Sequence, residues 1–591
     1  MKMSKTKKLS TLGVCLAFLY STSTYQAQEI NDSLSMDVTF VGEREMVVKD
    51  AIKLQSWPEP RKLDGGNRDF SYKLLSKRLN VTPEWTYIEP IQLKVDAPLA
   101  RLYRGYIRAG FGMYNTPLLE LSLTDLRSRE GTWGVQANHF ATDMPNNSIN
   151  NRYRDTRARL WTSRFIGKEK VNVSTHFNNN SIAYYGNPIN SEVVSFDNEN
   201  ATENYMSFGS SLEFKSHHRD STNVNHQVSL DWILLRSASG LVDNNFGGSF
   251  EVGKFIGTEK FSFITYYNFD KISIDSDSDS PNIINEGVVG MEPTITTYKG
   301  NLTIKAGAGL WVDADNESRD PDNLASQNFY IFPKIDASIS LMKDLFIPYL
   351  RLDGSLQQNR LQTVLNDNRF YEYKPTFSED GLKSPLRTTA RKNDISLGMR
   401  GTITDALSFN FYGRTVKYDD YMFFMNSSSS GGVKFKTFFE DIRINSASGN
   451  VNLKIGENFE LAIDAELYKF QSDSTNIFWN LPSYRSSIDL SYTLIEKFTI
   501  SSTTNLVGAR TGLSAIAPDS VNTSVTYLEH EDNYAVDLPA YIDMNLSLEY
   551  RYNRRTAIWL CINNITNSDY RNWTGYRVQG IQALFGASYS F

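Results

Sequence analysis

The chain has 591 residues, a formal net charge of −6 and two cysteines. This acidic balance argues against nucleic acid as a partner, because nucleic-acid-binding surfaces are strongly basic. No run of about 18 or more apolar residues follows the N-terminal segment, which argues against a helix that spans a membrane. The mean hydropathy of −0.40 does not oppose a membrane β-barrel, since alternation hides the apolar residues of such strands. The aromatic share of 13% suits the girdles of these barrels.

The N-terminus has the pattern of a secretory signal peptide over residues 1–27. Lysines precede a short apolar run, and Thr24–Ala27 is a plausible cleavage region. We therefore expect the mature chain to begin near Gln28. A lipoprotein signal at Cys15 is the alternative, although this cysteine lies too early in the segment. Cleavage near Gln28 leaves only Cys561, so the mature chain has no disulfide framework within one molecule.

Residues 28–100 form a second region, predicted to be a periplasmic segment or one that occludes the lumen of a barrel. The region contains several prolines and few clean strand patterns. At about 73 residues it is short for a full globular domain. The aromatic residues that could dock a partner or cap the barrel are Trp57, Trp85 and Tyr87.

From residue 101 to residue 591 strands alternate with turns. Period-2 alternation predicts early strands at Tyr103–Met113, Leu118–Leu126, Thr132–Ala141, Thr156–Phe165, Val171–Phe177 and Tyr205–Phe214. At roughly 22–25 residues per strand with its connection, the region holds about 20–22 strands, and the number should be even. The predicted fold is an all-β, transmembrane antiparallel β-barrel. A large secreted all-β protein is the alternative, because sandwich strands alternate in the same way.

The predicted connections alternate between short turns and long loops, as outer-membrane barrels require. The short ones are Lys343-Asp344, Thr404-Asp405, Glu496-Lys497 and Asn553-Arg554. The long ones are Ser276–Pro293, Asp315–Asn328, Leu361–Thr388 and Thr511–Leu538. A barrel of this width has a large lumen that is either filled with water or plugged.

Charged residues on the polar face of the late strands are candidates to line the lumen. They alternate with apolar residues such as Leu461, Ile463 and Leu548, which predicts that they face the wet side of the sheet. Rings of such charges set ion selectivity in channels. The plainer alternative is that a wet interior tolerates charge. The candidates are Glu460, Asp464, Glu466, Asp543, Glu549 and Arg551.

No catalytic, cofactor-binding or metal site is predicted. The six histidines are scattered, and His217-His218 fits a polar turn better than a metal site, which needs several converging ligands. Two acidic loops could bind Ca²⁺, but solvated external loops explain them more simply. No G-x-S-x-G motif occurs, which disfavours one common class of serine hydrolase. The acidic residues are Asp275, Asp277 and Asp279 in one loop and Asp313, Asp315, Glu317, Asp320 and Asp322 in the other.

The C-terminal region carries a family resemblance. The final strand alternates with Phe585, Ala587, Tyr589 and Phe591 on one face, and a last strand with a terminal aromatic residue resembles the assembly signal of outer-membrane barrels. The segment Ile562–Asn567 followed by Tyr570 is similar to the penultimate strand and loop of TonB-dependent receptors. The hairpins of Leu102–Phe140 resemble those that open plug-less, receptor-like barrels of the Bacteroidota.

This resemblance implies a barrel in the cell outer membrane that serves transport or uptake, and no enzyme activity. No convincing TonB-binding box lies near Gln28, so energy coupling by this chain alone is not expected. The alternative is a non-transporting structural subunit of a larger assembly or secretion complex. The expected partners are outer-membrane lipid, lipopolysaccharide, the barrel assembly machinery, and proteins that bind residues 28–100 or the external loops.

Overall fold

The computed structural model describes residues 102–126, 128–143, 152–186, 202–216, 223–274, 282–314, 329–342, 345–378, 381–427, 430, 432–472, 478–514, 525–528 and 533–591. Several predictions concern residues outside these ranges. They are the signal peptide, the 28–100 region, His217-His218, the Lys343-Asp344 turn, the Asp315–Asn328 loop, and the acidic loop residues other than Asp313.

The described chain forms a closed, antiparallel barrel of 22 strands, which confirms the predicted fold class and the strand number. Each strand pairs with its neighbours in sequence, and β1 closes the ring against β29. The barrel strands are β1 Gly105–Gly112, β2 Thr116–Thr124, β3 Gly131–Asp143, β4 Arg152–Ile166, β5 Glu169–Ala183, β6 Thr202–Ser216, β7 Asn225–Ser237, β8 Leu241–Ile256, β9 Glu259–Ile274, β10 Asn282–Lys299, β11 Leu302–Asp313, β12 Phe329–Ile339, β13 Ile347–Gln357, β16 Thr389–Thr404, β17 Leu407–Asn426, β18 Phe435–Ile455, β19 Phe459–Gln471, β20 Tyr484–Leu494, β21 Phe498–Val507, β25 Tyr541–Arg551, β26 Thr556–Asn563 and β29 Gln582–Ser590.

The remaining elements are short and lie in the connections. They are α1 Leu361–Asp367, β14 Thr376–Ser378, β15 Gly381–Lys383, β22 Arg510–Ser514, β23 Val525–Leu528, β24 Asn533–Leu538, β27 Arg571–Trp573 and β28 Tyr576–Arg577. No helix in the described part of the chain is long and apolar enough to cross a membrane.

Alternation along the strands gives the barrel an apolar outer face. Leu160, Ile331 and Leu397 are 53%, 63% and 65% exposed, although they are large and apolar. Because successive side chains point to opposite faces, the polar residues between them face inward. Such a pattern is stable when the outer face contacts lipid and the inner face contacts water.

Glycine allows close packing where the ring closes. A Cβ atom placed on Gly586 of β29 would lie 2.1 Å from the backbone oxygen of Ala109 in β1, which is far below van der Waals contact. The chain terminus completes the same seam, because the Phe591 amide donates to the Gly105 oxygen at 2.9 Å. The last strand is therefore an integral part of the ring.

Connections at one end of the barrel, the turn end, are short. The first residue of β1 and the last residue of β29 also lie at this end. Gly167 and Gly257 have φ angles near +64° as first residues of two-residue turns, a conformation that favours glycine. The predicted turns at Thr404-Asp405, Glu496-Lys497 and Asn553-Arg554 are confirmed to within one residue.

At the opposite end of the barrel, the loop end, three of the predicted long loops contain strands or a helix in the structure. The Ser276–Pro293 prediction is wrong from Asn282 onward, because this stretch pairs with β9 and belongs to β10. Ladder pairing with β9 runs from Asn282 through Pro293, so the strand extends further than the sequence pattern indicated. The predicted loop at Leu361–Thr388 contains α1, β14 and β15, and the one at Thr511–Leu538 contains β23, β24 and most of β22.

Candidate functional site

A segment that follows β13 folds inward at the loop end of the barrel. This crossing segment, residues 358–378, contains α1 and β14. Leu361 and Val364 of α1 are 1% and 0% exposed. They belong to a hydrophobic cluster that also draws on five wall strands, through Ile182 of β5, Leu235 of β7, Leu241 of β8, Ile272 of β9 and Ile284 of β10. The helix is therefore held by apolar contacts inside the ring.

The crossing segment extends most of the way across the lumen. It begins at the end of β13, and its Arg369 side chain lies 4.6 Å from the ring centroid of Tyr153 in β4. Strand β4 is nine strands from β13 in a ring of 22, where the farthest strand is eleven away. A contact between such distant strands places the segment across the loop end of the ring.

Aromatic residues form the centre of this contact. Phe370 stacks on Tyr576 at 3.5 Å between ring centroids, and Tyr185 meets Phe370 edge-on at 5.9 Å. Tyr371 is fully buried and forms a parallel bridge with Phe435. Burial raises the pKa of Tyr371 and of Tyr576, so both phenols stay neutral. Such aromatic pairs contribute about 0.5–1.5 kcal/mol each beyond the area they bury.

The hairpin of β17 and β18 carries a second cluster on its other face. Phe423 and Met425 pack with Trp479, Leu513 and Ala535. Strand β22 also pairs in parallel with the end of β17, through Met425 and Leu513. Two hydrophobic clusters, one on each face of this hairpin, therefore pack the described part of the loop end.

Ion pairs join five wall strands below the crossing segment. Asp353 of β13 is the centre of this wall network, and only 6% of its side chain is exposed. Charge-assisted hydrogen bonds of this kind are stronger than neutral ones. The contacts are Lys334–Glu292 at 2.5 Å, Lys334–Asp353 at 3.0 Å, Arg391–Asp353 at 3.1 Å, Arg351–Asp353 at 3.2 Å and Arg414–Asp394 at 2.7 Å.

Three of the predicted lumen residues lie on β19. Asp464 accepts a hydrogen bond from Asn450, Glu466 accepts one from Tyr468, and Glu460 pairs with Lys454. All three lie on the face opposite Leu467, which is 61% exposed. They are therefore engaged with neighbouring wall residues, and a role in ion selectivity stays a prediction.

The other three predicted lumen residues lie on β25. Asp543 accepts a hydrogen bond from Asn545 at 3.3 Å, and Glu549 pairs with Arg551 at 3.3 Å. Since Arg551 ends its strand at the turn end, β25 carries these charges along nearly its whole length. Asp543 lies in the same row of the ladder as Asp464, with Ser487 and Asn505 between them, whereas Glu549 and Arg551 lie nearer the turn end.

The predicted assembly residues lie on the outer face of β29. Phe585, Tyr589 and Phe591 are 66%, 42% and 48% exposed, whereas Leu584 and Ser588, at alternate positions, are buried. This alternation matches the predicted face pattern. Recognition of these residues by an assembly machinery stays a prediction.

The crossing segment and the wall network were missed by sequence reasoning. Apolar residues at Leu361, Val364 and Leu365 have helical spacing, but a helix of seven residues gives a weak signal. The wall network has no local signal, since its partners come from strands far apart in sequence. Within the described ranges, no group of three or more histidine, cysteine, aspartate or glutamate residues could hold a metal ion.

Solved structures share this fold, although no protein-family model and no curated protein matches the chain. The FrpB iron transporter of Neisseria meningitidis aligns with a TM-score of 0.61 and 8% identity, over 83% of this chain and 82% of that one. A mutant of the ferric enterobactin receptor PfeA of Pseudomonas aeruginosa gives 0.59 and 9%, over 82% and 80%. The pyoverdine receptor FpvA of P. aeruginosa gives 0.58 and 10%, over 84% and 79%.

At these identities the likeness shows the fold, which is the barrel of TonB-dependent outer-membrane receptors. The neighbours are named as receptors and transporters. A large barrel with such neighbours also supports a location in the outer membrane.

Proposed function

We propose that this chain is a receptor-like barrel that serves uptake across the outer membrane and that its own crossing segment restricts access to the lumen. The observation that carries this proposal is a charged inner wall next to a loop end that residues 358–378 cross and pack against. A charged wall suits a water-filled path, since charges without water or partners are costly to bury. Long loops face the cell exterior in such barrels, so the crossing segment would lie on the external side.

The proposal includes the barrel type that the sequence suggests. Residues 28–100 would replace a full plug, either by occupying the periplasmic mouth or by docking a partner protein. Insertion would depend on the barrel assembly machinery, and outer-membrane lipid and lipopolysaccharide would surround the barrel. The six charged residues on β19 and β25 would line the path.

A structural subunit of a larger outer-membrane assembly is the second candidate. The observation that favours it is the packing of the loop end by two hydrophobic clusters. A scaffold needs no open path, and a well-packed loop end would present a fixed surface to partner proteins.

Conductance in planar bilayers separates the two candidates. Four proteins are compared: the intact chain, the chain without residues 28–99, the chain in which a Gly-Ser bridge replaces the crossing segment, and the chain with both changes. The uptake proposal predicts little conductance for the intact chain and large, stable steps once the obstructing segments are removed. Comparing the two single deletions shows which segment obstructs the path.

Silence of all four folded proteins would sink the uptake proposal and favour the scaffold, whose partners should then co-purify from solubilised outer membranes. Large conductance of the intact chain would instead mean that the crossing segment does not restrict the lumen. Heat-modifiable migration of each variant serves as the control that the barrel has folded.

A further inference from the structure

We infer that Arg360 is a latch that holds the crossing segment to the wall at β8 and β9, with its guanidinium group beside a buried acidic pocket of these strands. The inference deepens the proposed function and rests on it for its role in access to the lumen. Arg360 immediately precedes α1, so its position decides where the helix enters the ring.

The pocket is built from inward-facing residues of paired strands. Asp243 and Asn245 of β8 are each 2% exposed, and Asp270 of β9 is 1% exposed. Asn245 stands opposite Asp270 in the ladder and donates a hydrogen bond to its carboxylate. Two carboxylates and an amide are thus held side by side, away from solvent.

Polar atoms of this pocket lack partners of their own. Oδ1 of Asp243, Oδ1 of Asn245 and Oδ2 of Asp270 accept no hydrogen bond from any described residue. A buried acceptor without a donor is costly, and a buried carboxylate without a nearby cation costs more. The pocket therefore has the chemistry to take a cationic, hydrogen-bond-donating group.

Arg360 brings such a group to the pocket. Its guanidinium donates a hydrogen bond to Oδ1 of Asn268, two residues before Asp270 on β9. Among the described residues, it is the cation whose charge acts on both Asp243 and Asp270. The guanidinium of Arg360 acts on the carboxylates from a distance, since no lysine or arginine in the described ranges, Arg360 included, forms an ion pair within 4.0 Å of either one.

A glycine leaves room for the guanidinium. A Cβ atom placed on Gly247 of β8 would lie 3.3 Å from a terminal nitrogen of Arg360 and 2.5 Å from a carboxylate oxygen of Asp231. Any side chain at this position would displace one of these groups. Position 247 is thus matched to the approach of Arg360.

Loss of the guanidinium would release the segment. The Arg360→Met variant keeps an apolar stem but removes the donor to Asn268 and the positive charge that acts on Asp243 and Asp270. The apolar cluster around Leu361 would then hold the segment alone. Hydrogen exchange of backbone amides in α1 reports this release directly, because exchange requires the helix to open.

We expect α1 in Arg360→Met to exchange faster than in the parent chain by on the order of 10- to 100-fold, the effect of one charged hydrogen bond. The matched control is Arg577→Met, which removes an arginine from an exposed ion pair with Asp569 at the same end of the barrel. That control should leave α1 unchanged. Adding Asp243→Asn to Arg360→Met should restore part of the protection, because it removes one uncompensated charge.

Chemical rescue tests the pocket itself. Ethylguanidinium added at millimolar concentration should slow α1 exchange in the smaller variant Arg360→Ala and leave the parent chain unaffected. Exchange in Arg360→Met equal to that of the parent or of Arg577→Met would overturn the latch. If Arg360→Met fails to fold, Arg360→Lys, which keeps the charge but loses the planar fork, gives the same test with a smaller expected effect.

The latch and the uptake proposal can fail separately. Fast exchange in Arg360→Met with new conductance supports both. Fast exchange with silence, even after the crossing segment is replaced, supports the latch and rejects uptake. Unchanged exchange together with conductance after that replacement rejects the latch and supports uptake.

Discussion

The barrel wall and the crossing segment are stabilised by different kinds of contact. In the wall, each strand is hydrogen-bonded to its neighbours in sequence, so the ladder from β1 to β29 is made mostly of hairpins. The crossing segment instead depends on residues far away in the chain, such as Tyr153, Phe435 and Tyr576. The wall can therefore keep its structure when the segment is released, and that independence is what a gate requires.

The largest expected effect comes from a substitution at Asp353, the centre of the wall network. Asp353→Ala would leave Lys334, Arg351 and Arg391 without their shared carboxylate. Removing one partner of a buried pair costs about 3–5 kcal/mol, so we expect the barrel itself to unfold at lower urea concentration. As a control, Asp569→Ala removes an exposed pair and should cost under about 1 kcal/mol. Equal midpoints for the two variants would refute the structural role of the network.

A cavity next to α1 should destabilise the crossing segment without destabilising the barrel wall. Leu361→Ala removes a side chain that is 1% exposed, and such changes cost about 2–5 kcal/mol. We expect much faster hydrogen exchange in α1 with an unchanged urea midpoint of the barrel. Faster exchange together with a lower urea midpoint of the barrel would show that the wall and the segment unfold as one unit, contrary to the comparison.

The seam between the first and last strands offers a smaller test. Gly586→Ala places a methyl group against the Ala109 backbone, and overpacking of this kind costs about 1–3 kcal/mol. We expect the folded band on a semi-native gel to convert at a lower temperature. Gly413→Ala is the matched control, because its nearest neighbour would lie 4.0 Å away. If both variants convert at the same temperature as the parent, the seam is not tight.

The smallest expected effect is a pH dependence of the crossing segment. Asp367 is the last residue of α1, and desolvation by the surrounding protein raises the pKa of its carboxyl to about 6, against a weaker opposite effect of Arg485. The docked state therefore favours the protonated carboxyl, and this contribution is lost as pH rises through about 6. After correction for intrinsic rates, α1 should exchange faster at about pH 7.5 than at about pH 5. In Asp367→Asn that difference should vanish, and its persistence would assign it to other groups.

Sequence reasoning succeeded where structure depends on local pattern. The alternation of Phe585, Tyr589 and Phe591 with small or polar residues predicted that these side chains share one face, and in the structure all three are exposed. Strand residues have only two faces, so a barrel whose neighbours in sequence are neighbours in space is encoded by period and turn length. This explains why the fold class and the number of strands were predictable.

The candidate site was less predictable because its contacts are not local. Nothing near Arg360 in the sequence indicates that its side chain meets Asn268, 92 positions away. The charges chosen from sequence on β19 and β25 are paired with close neighbours, whereas the network around Asp353 joins five strands. Periodicity assigns a face to each residue but does not show which distant residues meet across the lumen.

The central claim is that residues 358–378 cross the lumen to the far wall, and chemical cross-linking in membranes tests it most directly. Cysteines replace Tyr153 and Arg369, whose side chains are in contact, and a short bifunctional thiol reagent is added to the inserted protein. Tyr153→Cys with Ile182→Cys, which are paired in neighbouring strands, is the positive control. The account predicts efficient cross-linking of both pairs. Cross-linking of the control pair alone would contradict it, because the crossing segment would then not reach β4.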